Sequence, residues 1–183
     1  MFVLGAITAF FCWPRTPRIS MGGGATSLNG MPPDWWAGER FPIEAQDNTI
    51  LPSRPSLRGT WQINVTLDNR DNWIPTHIRS LEFVLLDSLT LAKFAWASSS
   101  AMVLQPKTIS PLSLTFNVNY QAPDNTDPTF QNLYASCGPL KSPDSRRPAL
   151  NVLLKVYIRL YGIIWTPIVS STPYTGGLLC PMK

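Results

Sequence analysis

The chain has 183 residues, of which 44% are hydrophobic and 14% charged, with a formal net charge of +4. It is charge-poor beside the roughly 25% charged residues of an average globular chain, yet too apolar to be disordered throughout. Its 18 prolines exclude a bundle of long helices, because an interior proline removes a backbone donor and collides with the preceding turn.

Residues 1–13, MFVLGAITAFFCW, carry no charge and no proline. As a helix they reach about 20 Å at 1.5 Å per residue, short of a hydrocarbon core of ~30 Å that takes about 20 residues. A signal peptide would need a basic region before the run and a small-residue cleavage site after it, and neither is present. The run is followed by Trp13-Pro14-Arg15-Thr16-Pro17-Arg18. An interfacial ring, helix-stopping prolines and headgroup-reaching arginines are what a bilayer exit requires. Residues 1–18 are therefore expected to be the C-terminal half of a transmembrane anchor, a truncated transmembrane helix with Trp13, Arg15 and Arg18 at the membrane exit. The competing reading is an apolar strand or core segment. Arg15 and Arg18 alone would place the C-terminal part of the chain in the cytosol, and an upstream basic cluster would reverse that.

Residues 19–58 show little periodicity. Gly22-Gly23-Gly24 and scattered Pro, Asn and Ser read as an irregular linker. Trp35-Trp36 interrupts it, as a docking point on the domain or, less favoured, on a membrane surface.

From residue 60 a period of two takes over. Trp61, Ile63, Val65 and Leu67 alternate with polar residues, which predicts a half-buried strand. Asp68–Asn72 follows as an Asx-rich turn. Further strands are expected over 76–86 (Ile78, Leu81, Phe83, Leu85), 90–96, 101–104, 112–120 and 149–161, with an edge strand over 163–169. A short helix is expected over 129–136, capped by Asp127 with Pro128 in its first turn. About seven strands with turn residues between them predict an all-β fold. The expected form is an antiparallel immunoglobulin- or fibronectin-III-like β-sandwich over 59–170, followed by a tail over 171–183.

Chemical motifs are few. The basic residues are scattered, which argues against nucleic acid as a partner. His77 is the one histidine, so multi-histidine metal sites are excluded and any triad would have to use this strand residue. The glycine triplet lacks the Lys-Ser/Thr of a phosphate loop. The Asx loops at 68–72 and 124–127 lack the glycine and closing glutamate of a calcium-binding EF-hand. No cofactor or metal is expected. Of the three cysteines, Cys12 lies in the apolar run. Cys137 and Cys180 either form a bridge that ties down the tail in an oxidising compartment or are unrelated buried thiols. Asn64-Val65-Thr66 is a glycosylation sequon, with Asn64 on the polar face of its strand.

The run Asn64-Val65-Thr66-Leu67-Asp68-Asn69-Arg70-Asp71-Asn72, continued by Ile74-Pro75-Thr76 and Ile78, resembles the late-embryogenesis-abundant type 2 domain, also called the water-stress and hypersensitive-response domain. Leu89-Thr90-Leu91-Ala92 and the stretch 111–120 are similar to it too. Asp127-Pro128-Thr129-Phe130, the strand 149–161 and Trp13-Pro14-Arg15-Thr16-Pro17-Arg18-Ile19 resemble its fungal, membrane-anchored branch. The resemblance implies a seven-stranded sandwich on a single membrane anchor, without enzyme activity. It also implies a stress- or defence-type role, or lipid or protein interaction at a membrane, with the sandwich lumenal, vacuolar or extracellular. The expected partners are membrane lipid, through the anchor, and an unidentified protein. The alternatives are a soluble secreted carbohydrate-type binding module, in which Trp35, Trp36 and Trp73 stack on sugar, and a hydrolase that uses His77.

Overall fold

The structure, a computed structural model, describes residues 3, 5, 13, 15–31, 34–37, 54–138 and 147–181. It is mostly antiparallel β with one short helix. The strands are β1 (Arg18–Ser27), β2 (Trp36–Ala37), β3 (Ser56–Asp68), β4 (Thr76–Asp87), β5 (Lys93–Ser99), β6 (Met102–Leu104), β7 (Ile109–Gln121), β8 (Val152–Leu160) and β9 (Ile168–Ser171). The helix α1 (Pro128–Cys137) lies between β7 and β8.

Seven strands follow one path, β1-β3-β7-β5-β4-β8-β9, while β2 adds to β3 and β6 to β4. The 13 residues of β3 pair without interruption with β7, from Ser56 opposite Gln121 to Asp68 opposite Ile109. The alternation read from the sequence explains this pairing. Trp61, Ile63, Val65 and Leu67 all point inward, as do Leu114, Phe116 and Val118 across from them. A slip of one residue would expose the whole set. On β8, Val152, Leu154, Val156, Ile158 and Leu160 bury the same way against Ile78, Leu81, Phe83 and Leu85 of β4. The rings of Trp61, Phe83, Phe94 and Phe116 are fully buried at the centre. Burial of such side chains contributes about 1.5–3 kcal/mol each.

The sheet curls, helped by register shifts in β1, between β4 and β5, and between β4 and β8. The curl brings β1 close to β9 and the tail. Residues 173–179 fill the remaining gap. Met21 bridges to Pro173 and Gly24 to Leu179, while Leu178 exchanges both backbone hydrogen bonds with Leu150.

Three expectations need correction, the first being the edge strand over 163–169, which forms over Ile168–Ser171 instead. Residues 18–27, expected to be anchor end and linker, form β1. Its buried face is Ile19, Met21, Gly23 and Ala25, a period of two hidden by glycine and alanine where large side chains would have announced it. Gly23 is required there, since a Cβ would collide with the Thr175 side chain of the tail. The strand expected over 90–96 begins at Lys93 instead. Residues 88–92 form a tight turn with Leu91 in the left-handed region (φ 59°), closed by hydrogen bonds from Asp87 N to Ala92 O and from Leu91 N to Asp87 O. The α1 cap is as expected. Asp127 accepts from Phe130 N at 2.7 Å, and Pro128 opens the helix.

Among the described residues no helix is long and apolar enough to cross a membrane. Most of the expected anchor lies outside the described residues, Cys12 included.

Candidate functional site

The strand directions place four segments at one end of the domain. β1 begins beside the end of β3, where Arg18 faces Asp68, and β7 begins there with Ile109 also opposite Asp68. β4 begins beside the end of β6, with Thr76 opposite Leu104, and β8 ends there with Leu160 opposite Ile78. The approach to β1, the 69–75 loop, the 105–108 loop and the 161–167 loop therefore share this end.

Three of these segments are held together by two buried asparagines. Asn69 has all its side-chain hydrogen-bonding groups paired. Its Nδ2 donates to Leu104 O (3.2 Å) and Gln105 O (2.9 Å), and its Oδ1 accepts from Thr76 Oγ1 (3.0 Å) and Asn72 Nδ2 (2.6 Å). Its backbone N–H donates to Thr108 O. Asn72 then clamps the incoming chain. Its Oδ1 accepts from Arg15 N at 2.8 Å, and its Nδ2 donates to Arg15 O at 2.8 Å. The side-chain amide thus acts as a strand partner for a single residue of the N-terminal segment. On the sequence these asparagines look like ordinary turn formers, and nothing in the local pattern signals their burial.

Of the expected membrane-exit residues, Trp13 and Arg15 are exposed, and Arg18 is exposed within β1. Arg18 pairs with Asp71 at 2.9 Å. Beside it Arg70 pairs with Asp68 at 2.7 Å. The Arg70 side-chain and backbone N–H groups hold the Asp68 carboxyl down to about 2. The Lys107 ammonium lies 3.7 Å from the centre of the exposed Trp73 ring.

The opposite end is built around a buried carboxylate, Asp87, which sequence reading also missed. Its Oδ2 accepts from Thr90 N (3.1 Å) and Thr90 Oγ1 (2.8 Å), and its Oδ1 accepts from Asn132 Nδ2 of α1 (2.6 Å). Thr90 also bonds to Thr129 of α1, so the carboxylate docks the helix on the β4–β5 turn. Tyr120 Oη donates to Asp127 at 2.7 Å. Burial, and then this carboxylate, push the phenol up to about 12. At the same end Cys137, the last residue of α1, is joined to Cys180 by a disulfide with a Cα–Cα distance of 5.4 Å.

The remaining candidates are dispersed. Asn64 is exposed on β3. It lies opposite the glycine bulge of β1, where residues 22–24 face it alone. His77 is exposed on β4. Among the described residues no three His, Cys, Asp or Glu side chains cluster as a metal site would require. The three tryptophans considered for sugar stacking are separated. Trp35 is buried against Trp61, with ring centres 5.7 Å apart, and Trp36 lies edge-on to Tyr134 at 4.9 Å and Phe130 at 5.5 Å. Only Trp73 of the three is exposed. No protein-family model and no curated protein matches the chain.

Proposed function

We propose that this chain is a membrane-anchored, non-enzymatic β-sandwich protein whose folded part stands on the lumenal or extracellular side and serves interaction rather than chemistry. The observation that carries the reading is the Cys137–Cys180 disulfide, which fastens the segment closing the sheet. Such a structural bridge belongs to oxidising compartments. The apolar run 1–13 supplies the anchor, and the Asn72 clamp supplies a fixed joint between that run and the domain. A non-catalytic role is supported by what the concentrated polar groups do. Asn69, Asn72 and Thr76 bind backbone and one another, and Asp87, Asn132 and Thr90 dock a helix. The resemblance to the late-embryogenesis-abundant type 2 domain points the same way, to a stress- or defence-type function in a sandwich carried on one anchor.

The test is protease protection on sealed membranes, with a C-terminal tag on the chain expressed from its natural reading frame. The tag is expected to pellet with membranes and to survive until detergent is added. Non-reducing electrophoresis should show the bridge. A tag that pellets but is digested refutes the lumenal placement, and a tag that stays in the supernatant refutes the anchor.

A further inference from the structure

The end of the domain that receives the N-terminal segment carries an exposed apolar rim. Tyr161, Ile164 and Trp165 stand on the β8–β9 loop, and Ile164 is 100% exposed. Trp73 stands on the β3–β4 loop, with Lys107 over its ring. The hydrogen bond from Tyr161 N to His77 O ties the β8–β9 loop to the start of β4, and so to the same end.

Three features of this rim match one environment. Its large side chains are mostly Trp and Tyr, which settle at membrane–water interfaces because their rings are apolar and their N–H or O–H remains wet. Its charge is positive. Arg15, Arg18, Arg70 and Lys107 stand against Asp68 and Asp71, both already paired with arginine. The loops 105–108 and 161–167 contain no acid. Finally, the uncharged run 1–13 joins the domain at this end, at the residue that Asn72 clamps. A run of that composition in a bilayer leaves only residue 14 between its last tryptophan and the clamp, which holds this end, and no other, at the headgroups.

We infer that this end is a lipid-docking face. Trp73, Tyr161, Ile164 and Trp165 seat in the headgroup layer, and Lys107 with the neighbouring arginines attracts anionic lipid. The domain then stands end-on, with its disulfide end pointing away from the bilayer. The inference rests on the anchored reading and adds to it a defined orientation and a defined ligand surface.

The test uses the full chain in phosphatidylcholine–phosphatidylserine vesicles, in a Trp13→Phe background so that the anchor's own exit is silent. Brominated phosphatidylcholine quenches the tryptophans that reach the acyl boundary. Trp73→Phe with Trp165→Phe is expected to abolish the lipid-dependent quenching. Trp96→Phe serves as the control, since Trp96 lies mid-strand on the flank of the sheet between Val84 and Asn117. It should leave the quenching unchanged. Flotation on a density gradient is measured in the same samples. A chain that does not float overturns the anchored reading and the docking face with it. A chain that floats without quenching, with quenching that survives the double substitution, or with quenching removed by Trp96→Phe, overturns the docking face alone.

Discussion

Asn72 offers the most discriminating perturbation of this fold. Its side chain makes three hydrogen bonds, two to the backbone of Arg15 and one to Asn69 Oδ1, and the residue is only 2% exposed. Asn72→Ala removes all three. Each bond has a net worth of about 0.5–1.5 kcal/mol. Asn69 Oδ1 keeps Thr76 as a donor, which softens the loss, so the expected cost is about 2–3 kcal/mol. Asn72→Asp has nearly the same shape but should be worse than alanine near neutral pH. It replaces the Nδ2 donor by an anionic oxygen facing two acceptors, Arg15 O and Asn69 Oδ1, and burial of unpaired charge is costly. That extra penalty should shrink as the pH falls through the titration of the introduced carboxylate, because protonation restores one donor. The assay is guanidinium unfolding of the full chain in detergent, followed by tryptophan fluorescence, with limited proteolysis reporting release of the segment before β1. An alanine variant within about 0.5 kcal/mol of the native chain, or an aspartate variant as stable as alanine at neutral pH, would refute the clamp.

Other outcomes follow from the same structure. Cys180→Ser opens a loop whose ends are 43 residues apart. Loop-closure entropy puts the loss at about 4 kcal/mol, measurable by denaturation, with residues 173–181 becoming protease-sensitive. Asp87→Ala removes the buried carboxylate that accepts three hydrogen bonds, two from exposed Thr90 and one from half-buried Asn132. With about 1.5–3 kcal/mol for each hydrogen bond to a charged group, it should cost more than about 3 kcal/mol, and hydrogen exchange should rise first in α1. The Tyr120 phenol is raised from 10.0 to about 12. The folded state therefore holds its proton where the unfolded chain loses it, and stability should decline as pH rises between those values. Tyr120→Phe should flatten that decline in alkaline unfolding curves. Asn64→Gln should remove one glycan's mass from chain made in a secretory pathway and leave the melting behaviour unchanged.

Much of the fold was legible because its signal has a fixed period. Strands β3, β4, β7 and β8 announce themselves by alternation, and α1 by Asp127-Pro128. The helix begins one residue before its expected start because a proline at the first position needs no donor. β1 was missed because its inward residues include Gly23 and Ala25, small enough to pass the tail but too small to register as hydrophobic pattern. The joint at Asn69 and Asn72 was missed for another reason. Asparagine in a turn is usually paired with its own loop, and only tertiary structure shows that these two reach Leu104, Gln105 and Arg15 instead. The bridge between Cys137 and Cys180, tying down the tail, stood among the alternatives open on the sequence, but the place that the tail takes in the sheet did not. That depends on residues 178 and 179 pairing with both Leu150 and β1.

This pairing also constrains how the protein is made. β1 is synthesised before every other strand of the sheet, and its neighbours in the finished sheet include Pro173 and Leu179. A ribosome that has delivered β1 to β8 therefore holds a domain with one seam open. Met21 and its inward neighbours are exposed to water until residues 173–180 clear the exit tunnel. Contacts of such long sequence separation form slowly, and chains that wait with an open strand edge are prone to aggregate. The closing of the seam, followed by its covalent fastening, is therefore the step that completes this sheet.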